Sequence, residues 1–266
     1  MIDIEKIEKG SRLATIAGVP EGYDARVLAD LALAGRSVVF VARDDRRIAQ
    51  LSAALAFWGD DVDTVQFPAW DCLPYDRISP RADIVARRVH TLTALATRPR
   101  DARPVIVLTT VAAVTQRVPP LLTFRDAVRE VTPHNGFTRD ALLAHLESHG
   151  YNRAETVMEP GEYAVRGGII DLFAPGNEAP LRLDFFGEEL DTIRTFEPFS
   201  QRTTGTIEGF QLTPIGEVAL DEESVRRFRV GYRALFGAGT DEDPLYESIS
   251  ARRRFAGMEH WLPLFH

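Results

Sequence analysis

The apolar positions change rhythm partway along the chain. In the first part, continuous apolar runs alternate with helical spacing. Ser37 to Ala42 (SVVFVA) and Pro104 to Thr109 (PVIVLT) are continuous apolar stretches, the mark of strands buried in a sheet, and Val62 to Phe67 reads as a further strand. A shorter run, Leu13 to Ala17, precedes them. Between the runs, Val27, Leu28, Leu31 and Ala32 form the stripe of a helix that Asp24 is placed to cap and Gly35 to end. Asp44-Asp45 opens a second helix reaching Trp58, and Asp83 to Ala96 is a third, with Ile84, Val85, Val89, Leu92 and Leu95 inward. Val111 to Val118 is a short helix that Pro119-Pro120 stops. This strand-helix alternation predicts an α/β fold with a parallel sheet.

Beyond the double proline the period becomes two. Arg129 to Pro133 reads as an edge strand, and Thr138 caps a helix from Arg139 to His149, with Leu142, Leu143 and Leu146 as its stripe. Then Tyr163 and Val165 alternate with Ala164 and Arg166, and Leu181, Leu183 and Phe185 alternate with Arg182, Asp184 and Phe186. Gly167-Gly168 marks a bulge or a close backbone approach, Ile169 to Phe173 is a buried run, and Pro175-Gly176-Asn177 is a turn. One helix can cover only one face of such a sheet, so the other is open to a partner. The division expected is 1–119, first half of the α/β domain; 120–199, an inserted α+β antiparallel-sheet domain; and 200–266, the return. Phe199 to Thr206 is read as a polar crossover, Phe210 to Pro214 and Val218-Ala219 as strand fragments, and Glu222 to Phe236 and Leu245 to Arg254 as helices.

Charge narrows the function. The formal net charge is −8, whereas a chain that grips nucleic-acid backbone by itself shows a basic surplus or stripe. The single Cys72 excludes a disulfide framework or a cysteine zinc cluster and points to a small packed hydrophobe in the cytoplasm. No apolar run approaches the roughly 18 residues of a membrane span.

No catalytic constellation is present: there is no G-x-S-x-G, no H-E-x-x-H and no Walker lysine. Lone His90 reads as structural, and the carboxylate pairs Asp60-Asp61 and Glu188-Glu189 as solvated turns. The loop before the first helix lies where a phosphate loop would be. Laying G-x-x-x-x-G-K-[ST] on Gly18 puts Tyr23 at the second glycine, Asp24 at the lysine and Ala25 at the hydroxyl, with Gly22 just before. A carboxylate repels phosphate and alanine ligates no metal, so this is a degenerate, non-binding phosphate loop or a plain tight turn. The loop Pro68 to Pro80, with Trp70, Leu73 and Tyr75, reads as stapled to the core rather than functional. On the open sheet face, Arg166, Arg182, Asp184 and Phe186 form a candidate docking patch with Arg153 at its edge. Guanidiniums supply bidentate pairing and the ring supplies buried area. The simpler alternative is a cross-strand surface pair of Arg166 with Asp184.

The phrases GEYAVRGGIIDLF, RLDFFGEELDTIR, FPAWDCLPYDRISP and VLTTVAAVTQRVPP resemble, in order, the amino-terminal region of the bacterial transcription-repair coupling factors, which is homologous to part of the excision-repair subunit UvrB. The resemblance implies a UvrB-like, P-loop-derived α/β domain without a working nucleotide loop and without the UvrB hairpin that enters DNA. It implies that the small domain docks UvrA through Arg153, Arg166, Arg182, Asp184 and Phe186. Ala164 stands where UvrB has a further arginine. It also implies that RNA polymerase, double-stranded DNA, ATP and magnesium are bound by parts of the longer protein absent here. A carboxy-terminal domain is expected to mask the docking face there. His266 is then expected to be a truncation, leaving Trp261 to Phe265 in need of covering. The contrasting alternative is an autonomous nucleotide-dependent helicase fragment of UvrB type.

Overall fold

The computed structural model describes residues 15–58, 62–74, 76–133, 137–237, 240 and 242–266. In chain order these form α1 (Tyr23–Leu33), β1 (Val38–Ala42), α2 (Asp45–Trp58), β2 (Asp63–Phe67), α3 (Ala82–Thr97), β3 (Val105–Thr110), α4 (Val111–Val114), α5 (Leu121–Ala127) and β4 (Arg129–Val131). Then follow α6 (Arg139–Ser148), β5 (Asn152–Arg153), β6 (Glu162–Arg166), β7 (Ile169–Leu172), β8 (Leu181–Phe186), β9 (Glu189–Phe196), β10 (Thr203–Ile207), β11 (Phe210–Leu212), α7 (Glu222–Phe236), α8 (Pro244–Ser250) and a 3₁₀ segment, Met258–Leu264. Two compact units result: residues 1–69 with 98–116, and residues 70–97 with 117–266. None of the described helices is long and apolar enough to cross a membrane.

The first unit holds the expected parallel sheet, in the order β1-β3-β2. Helices α1 and α2 close its core through Ala25, Leu28, Ala32, Ile48, Leu51 and Leu55 against Ile106 and Leu108. The Asp44 carboxylate accepts the Arg47 backbone N–H at 2.9 Å and so satisfies one of the free amides at the start of α2. Three expectations change. Of the expected first strand, Leu13 and Ala14 lie outside the described residues and 15–17 carry no regular structure. Strand β1 is open on one side, with Val39 62% and Val41 43% exposed, because only one face of this sheet meets α1 and α2. Helix α4 is one turn long rather than two.

The second unit is built on a six-stranded sheet, β10-β9-β8-β7-β6-β5, antiparallel except at the β5–β6 edge. Helix α6 lies on one face, where Leu142 and Leu146 pack with Ile170, Leu172, Leu181, Leu183, Phe185 and Ile193. The Thr138 hydroxyl caps α6 by accepting the Ala141 amide at 3.2 Å. The β8–β9 turn docks on the same helix end: the Glu188 carbonyl and carboxylate accept the Arg139 and Asp140 amides, each at 3.3 Å. So Glu188 caps a helix and is not merely solvated. Residues expected to cross over, Phe199 to Thr206, instead include most of β10, which extends the sheet past residue 199. Strand β4 pairs with β11 in a separate two-stranded ladder. Val218-Ala219 is not a strand.

Two features of this unit were not foreseen. Pro120 starts a helix, α5, instead of only ending one, as proline's fixed φ and missing donor allow at a helix entry. Arg88, on the stripe side of α3, is fully buried. Its guanidinium grips Glu217 at 2.5 and 3.0 Å and stands 5.1 Å over the Trp70 ring, whose indole N–H donates to Glu217 at 3.1 Å. Trp70 therefore does staple the loop. Leu73 does not, being 73% exposed, and Tyr75 lies outside the described residues, as do Asp60 and Asp61. Cys72 is half-buried with its sulfur 3.7 Å from His260 Nε2 rather than packed among hydrophobes. His90 is exposed, 3.0 Å from the place a Cβ on Gly176 would take. At the other end, Leu262 and Phe265 are already buried, with Phe265 stacked 4.9 Å from Phe228 of α7. Asp221 caps α7 by accepting the Ser224 amide at 2.8 Å.

Candidate functional site

The strand alternation leaves two rows of side chains on the sheet face opposite α6. Ala164, Asp171, Arg182 and Arg194 lie in register across β6 to β9, and Arg166, Ile169, Asp184 and Thr192 form the next row. Phe186 follows at the end of β8, just past a register shift, opposite Glu189. Tight turns make this end compact. Gly167, at φ 60°, turns β6 into β7, and Gly187, at φ 64°, turns β8 toward β9. Gly168 meets the strand behind it: its carbonyl accepts the Phe185 amide at 2.8 Å, and a Cβ there would stand 2.7 Å from the Phe185 oxygen. The glycine pair is thus a hairpin turn and a close backbone approach together.

The face is not uniformly open. At the Ala164 end, Val157, Ala164 and Phe196 pack as a small buried cluster with Phe173 alongside. Arg182 is drawn into this covered half. It holds both oxygens of buried Asp171 at 2.7 and 2.9 Å, donates to the Gln201 carbonyl at 3.3 Å and lies 4.7 Å over the Phe196 ring. The Asp171 hydrogen bond holds the Arg182 pKa above its usual value, against the opposing effect of burial. Asp184 accepts from Arg194 at 2.9 and 2.6 Å and from the Thr192 hydroxyl at 3.1 Å. Its partner is thus Arg194, not Arg166.

The other end is different. Phe186 is 88% exposed, a large ring held out into water on a hydrogen-bonded strand. Arg166 is half-exposed and donates to the Glu155 carbonyl at 2.6 Å and to Thr156 at 3.3 Å, which aims its guanidinium along the face. Arg153 is exposed on the edge strand, but it registers with Tyr163, so it leaves the sheet on the α6 side. Four of the five expected residues therefore share a face, and only Arg166 and Phe186 present themselves strongly to solvent. The sequence reading missed Asp171 and Arg194. Asp171 carried a signal, a lone carboxylate inside the apolar run IIDLF, which a buried strand retains only with a partner.

The phosphate-loop positions can be tested against ATP and magnesium. Gly18 and Gly22 have φ of 70° and 81°. Helix α1 begins on Gly22 without a side-chain cap, so Asp24 sits in the first turn instead of capping it. Its carboxylate is engaged by Arg47 of α2, and Ala25 is wholly buried. Where phosphate chemistry asks for a cation and a hydroxyl, this loop offers an anion and a methyl group. The residues do not fit a nucleotide–magnesium group. Among the described residues there is also no cluster of three or more histidine, cysteine or carboxylate side chains that could hold a metal ion.

Comparison with known proteins places this sheet. The UvrB interaction domain family matches residues 130–217, which takes in β5 to β11 and every residue of the patch. Over 252 residues the chain is 34% identical to the transcription-repair-coupling factor of Haemophilus influenzae, covering 94% of this chain and 22% of that protein. The counterpart in Escherichia coli is 36% identical over 228 residues, 86% of this chain and 19% of the relative. That of Myxococcus xanthus is 34% identical over 275 aligned positions, 98% and 22% respectively. The chain spans about a fifth of the length of the curated relatives it matches.

Proposed function

Because the chain belongs with the UvrB-homologous, amino-terminal module of the transcription-repair-coupling factors, we propose that it is a protein-docking adaptor that recruits UvrA through the open end of its six-stranded sheet. The observation that carries this reading is Phe186, an exposed ring at the end of a rigid strand, with the Arg166 guanidinium on the same face. Aromatic and arginine side chains in that setting dominate protein interfaces. Arg182 and Asp184 act as positioning residues, locked by Asp171 and Arg194 so that the strand presents Phe186 in one geometry. Arg153, expected at the edge of the patch, leaves the sheet on the α6 side and is not counted among its contacts. Ala164 is buried, so its missing guanidinium removes a contact at the covered end only. The division into scaffold 1–119, docking domain 120–199 and return 200–266 belongs to the same proposal, with β10 extending the docking sheet to Ile207.

The chain itself is proposed to be no enzyme, since Asp24 and Ala25 oppose phosphate and magnesium at the one loop placed to hold them. Within a longer protein of this family, we infer that UvrA recruitment here is joined to displacement of stalled RNA polymerase by ATP-driven movement on double-stranded DNA in the cytoplasm. A pull-down of UvrA by the 266-residue chain tests the reading. Retention by the native chain and loss with Arg166→Ala plus Phe186→Ala is the expected result, and equal retention by both would refute it. The rival, an autonomous nucleotide-dependent helicase fragment, requires saturable ATP–magnesium binding that Asp24→Ala abolishes.

A further inference from the structure

A second surface lies away from the sheet, on α7. Arg226, Arg229, Val230 and Arg233 follow the spacing that puts side chains on one helical face. Between this face and the end of α8 runs a groove of about 360 Å³, which Arg252 and Ser250 complete. It concentrates four guanidiniums in a chain whose net charge is −8. Two carboxylates stand at one end. Glu223 holds Arg226 at 2.8 and 2.6 Å, and Glu222, 91% exposed, lies 3.5 Å from Arg252, a contact that solvent leaves weak and exchangeable. Arg229 donates to the Tyr246 hydroxyl at 3.4 Å and Arg233 lies 5.3 Å over the Tyr246 ring, so both stems are oriented. Val230, 63% exposed, is the apolar element between them.

Two details mark the groove as more than a solvated helix face. Arg252 sits just past the end of α8 with φ at 55°, the left-handed conformation in which helices usually place glycine. A non-glycine residue there carries backbone strain, and what the arginine brings in return is a guanidinium at the groove's rim. The Ser250 hydroxyl, on the same wall, is buried without a hydrogen-bond partner among the described residues.

We propose that this groove binds an acidic segment of a partner protein, with carboxylates on Arg229, Arg233 and Arg252 and one apolar side chain on Val230. Arg226 to Arg233 span about 10 Å of helix, matched by about three residues of extended chain. The exposed valine amid the arginines favours a peptide over a phosphate backbone, which has no apolar group to offer it. The site is separate from the sheet face and stands whether or not that face docks UvrA.

The test titrates the 266-residue chain against a fluorescein-labelled (Glu-Leu-Glu)₃ peptide at low salt, followed by anisotropy. Binding should be saturable and should weaken with added salt. Arg229→Glu combined with Arg233→Glu should weaken it by about tenfold or more. Arg252→Gly should also weaken it, while relief of strain raises the melting temperature by about 2–4 °C. Phe186→Ala should leave it unchanged. Absence of saturable binding overturns the proposal, as does full binding by the charge-reversed variant. If charge reversal prevents folding, Arg233→Gln with Arg252→Gln serves instead, and no loss of peptide binding there overturns it equally. Tighter binding of a labelled 12-nucleotide DNA strand through the same arginines would replace the peptide with a phosphate ligand, and peptide-blocked self-association would replace it with a second copy of this chain.

Discussion

Arg88 and Glu217 meet where water does not reach, with side chains 0% and 1% exposed. Arg194 and Asp184, on the open sheet face, meet with side chains 35% and 25% exposed. Both are arginine–carboxylate pairs with hydrogen bonds from the same two nitrogens, Nε and Nη2, yet they do different work. Inside, each charge depends on the other, because neither can fall back on water. Outside, water substitutes for a lost partner, and the pair's role is to hold a strand still. Arg182–Asp171 lies between them, at 16% and 2%. The lesson is that exposure, more than the count of ion pairs, separates the arginines that hold the fold from those left to meet a partner.

Mutations can break or sharpen this gradient. Glu217→Ala should cost most, about 3–5 kcal/mol, by removing the carboxylate that the buried Arg88 guanidinium grips. Urea unfolding reads this as a lower midpoint at unchanged slope. Asp171→Ala should cost about 1–3 kcal/mol, since Arg182 can partly turn to solvent, and it should loosen the cluster around Phe196. Asp184→Ala should cost at most about 1 kcal/mol. Phe186→Ala should shift stability by no more than about 0.5 kcal/mol in either direction, because its ring touches mostly water. A costly Phe186→Ala together with a harmless Glu217→Ala would invert the scheme.

Much of this was legible from the sequence, and the reasons are local. Strict alternation through β6 and β8 told which residues face the core, because period two leaves no third choice. Thr138 behaves as the cap its position predicts, and the parallel sheet followed from the strand-helix alternation. What escaped detection depended on distant partners. Arg88 was not singled out on α3, and nothing near it announces Glu217, far along the chain. Asp24 looked like a cap, but Gly22 takes that place and Arg47 takes the carboxylate. Strand β10 was hidden by its polar sequence, TTGTI, which succeeds as an edge strand because β9 supplies the ladder. At the candidate site, alternation put Arg166, Arg182, Asp184 and Phe186 on one face. It could not show that Arg182 is clamped by Asp171 and that Arg153 leaves by the other side.

The central claim is that the open end of the sheet binds UvrA through Phe186 and Arg166 while contributing almost nothing to stability. Calorimetric titration of UvrA with the native chain and with Arg166→Ala plus Phe186→Ala, alongside thermal melts of both, tests it most directly. The account predicts an affinity loss of about 30-fold or more, the arithmetic of about 2 kcal/mol or more at an interface centre, with the melting temperature unchanged. Undiminished affinity in a variant that melts normally would contradict it.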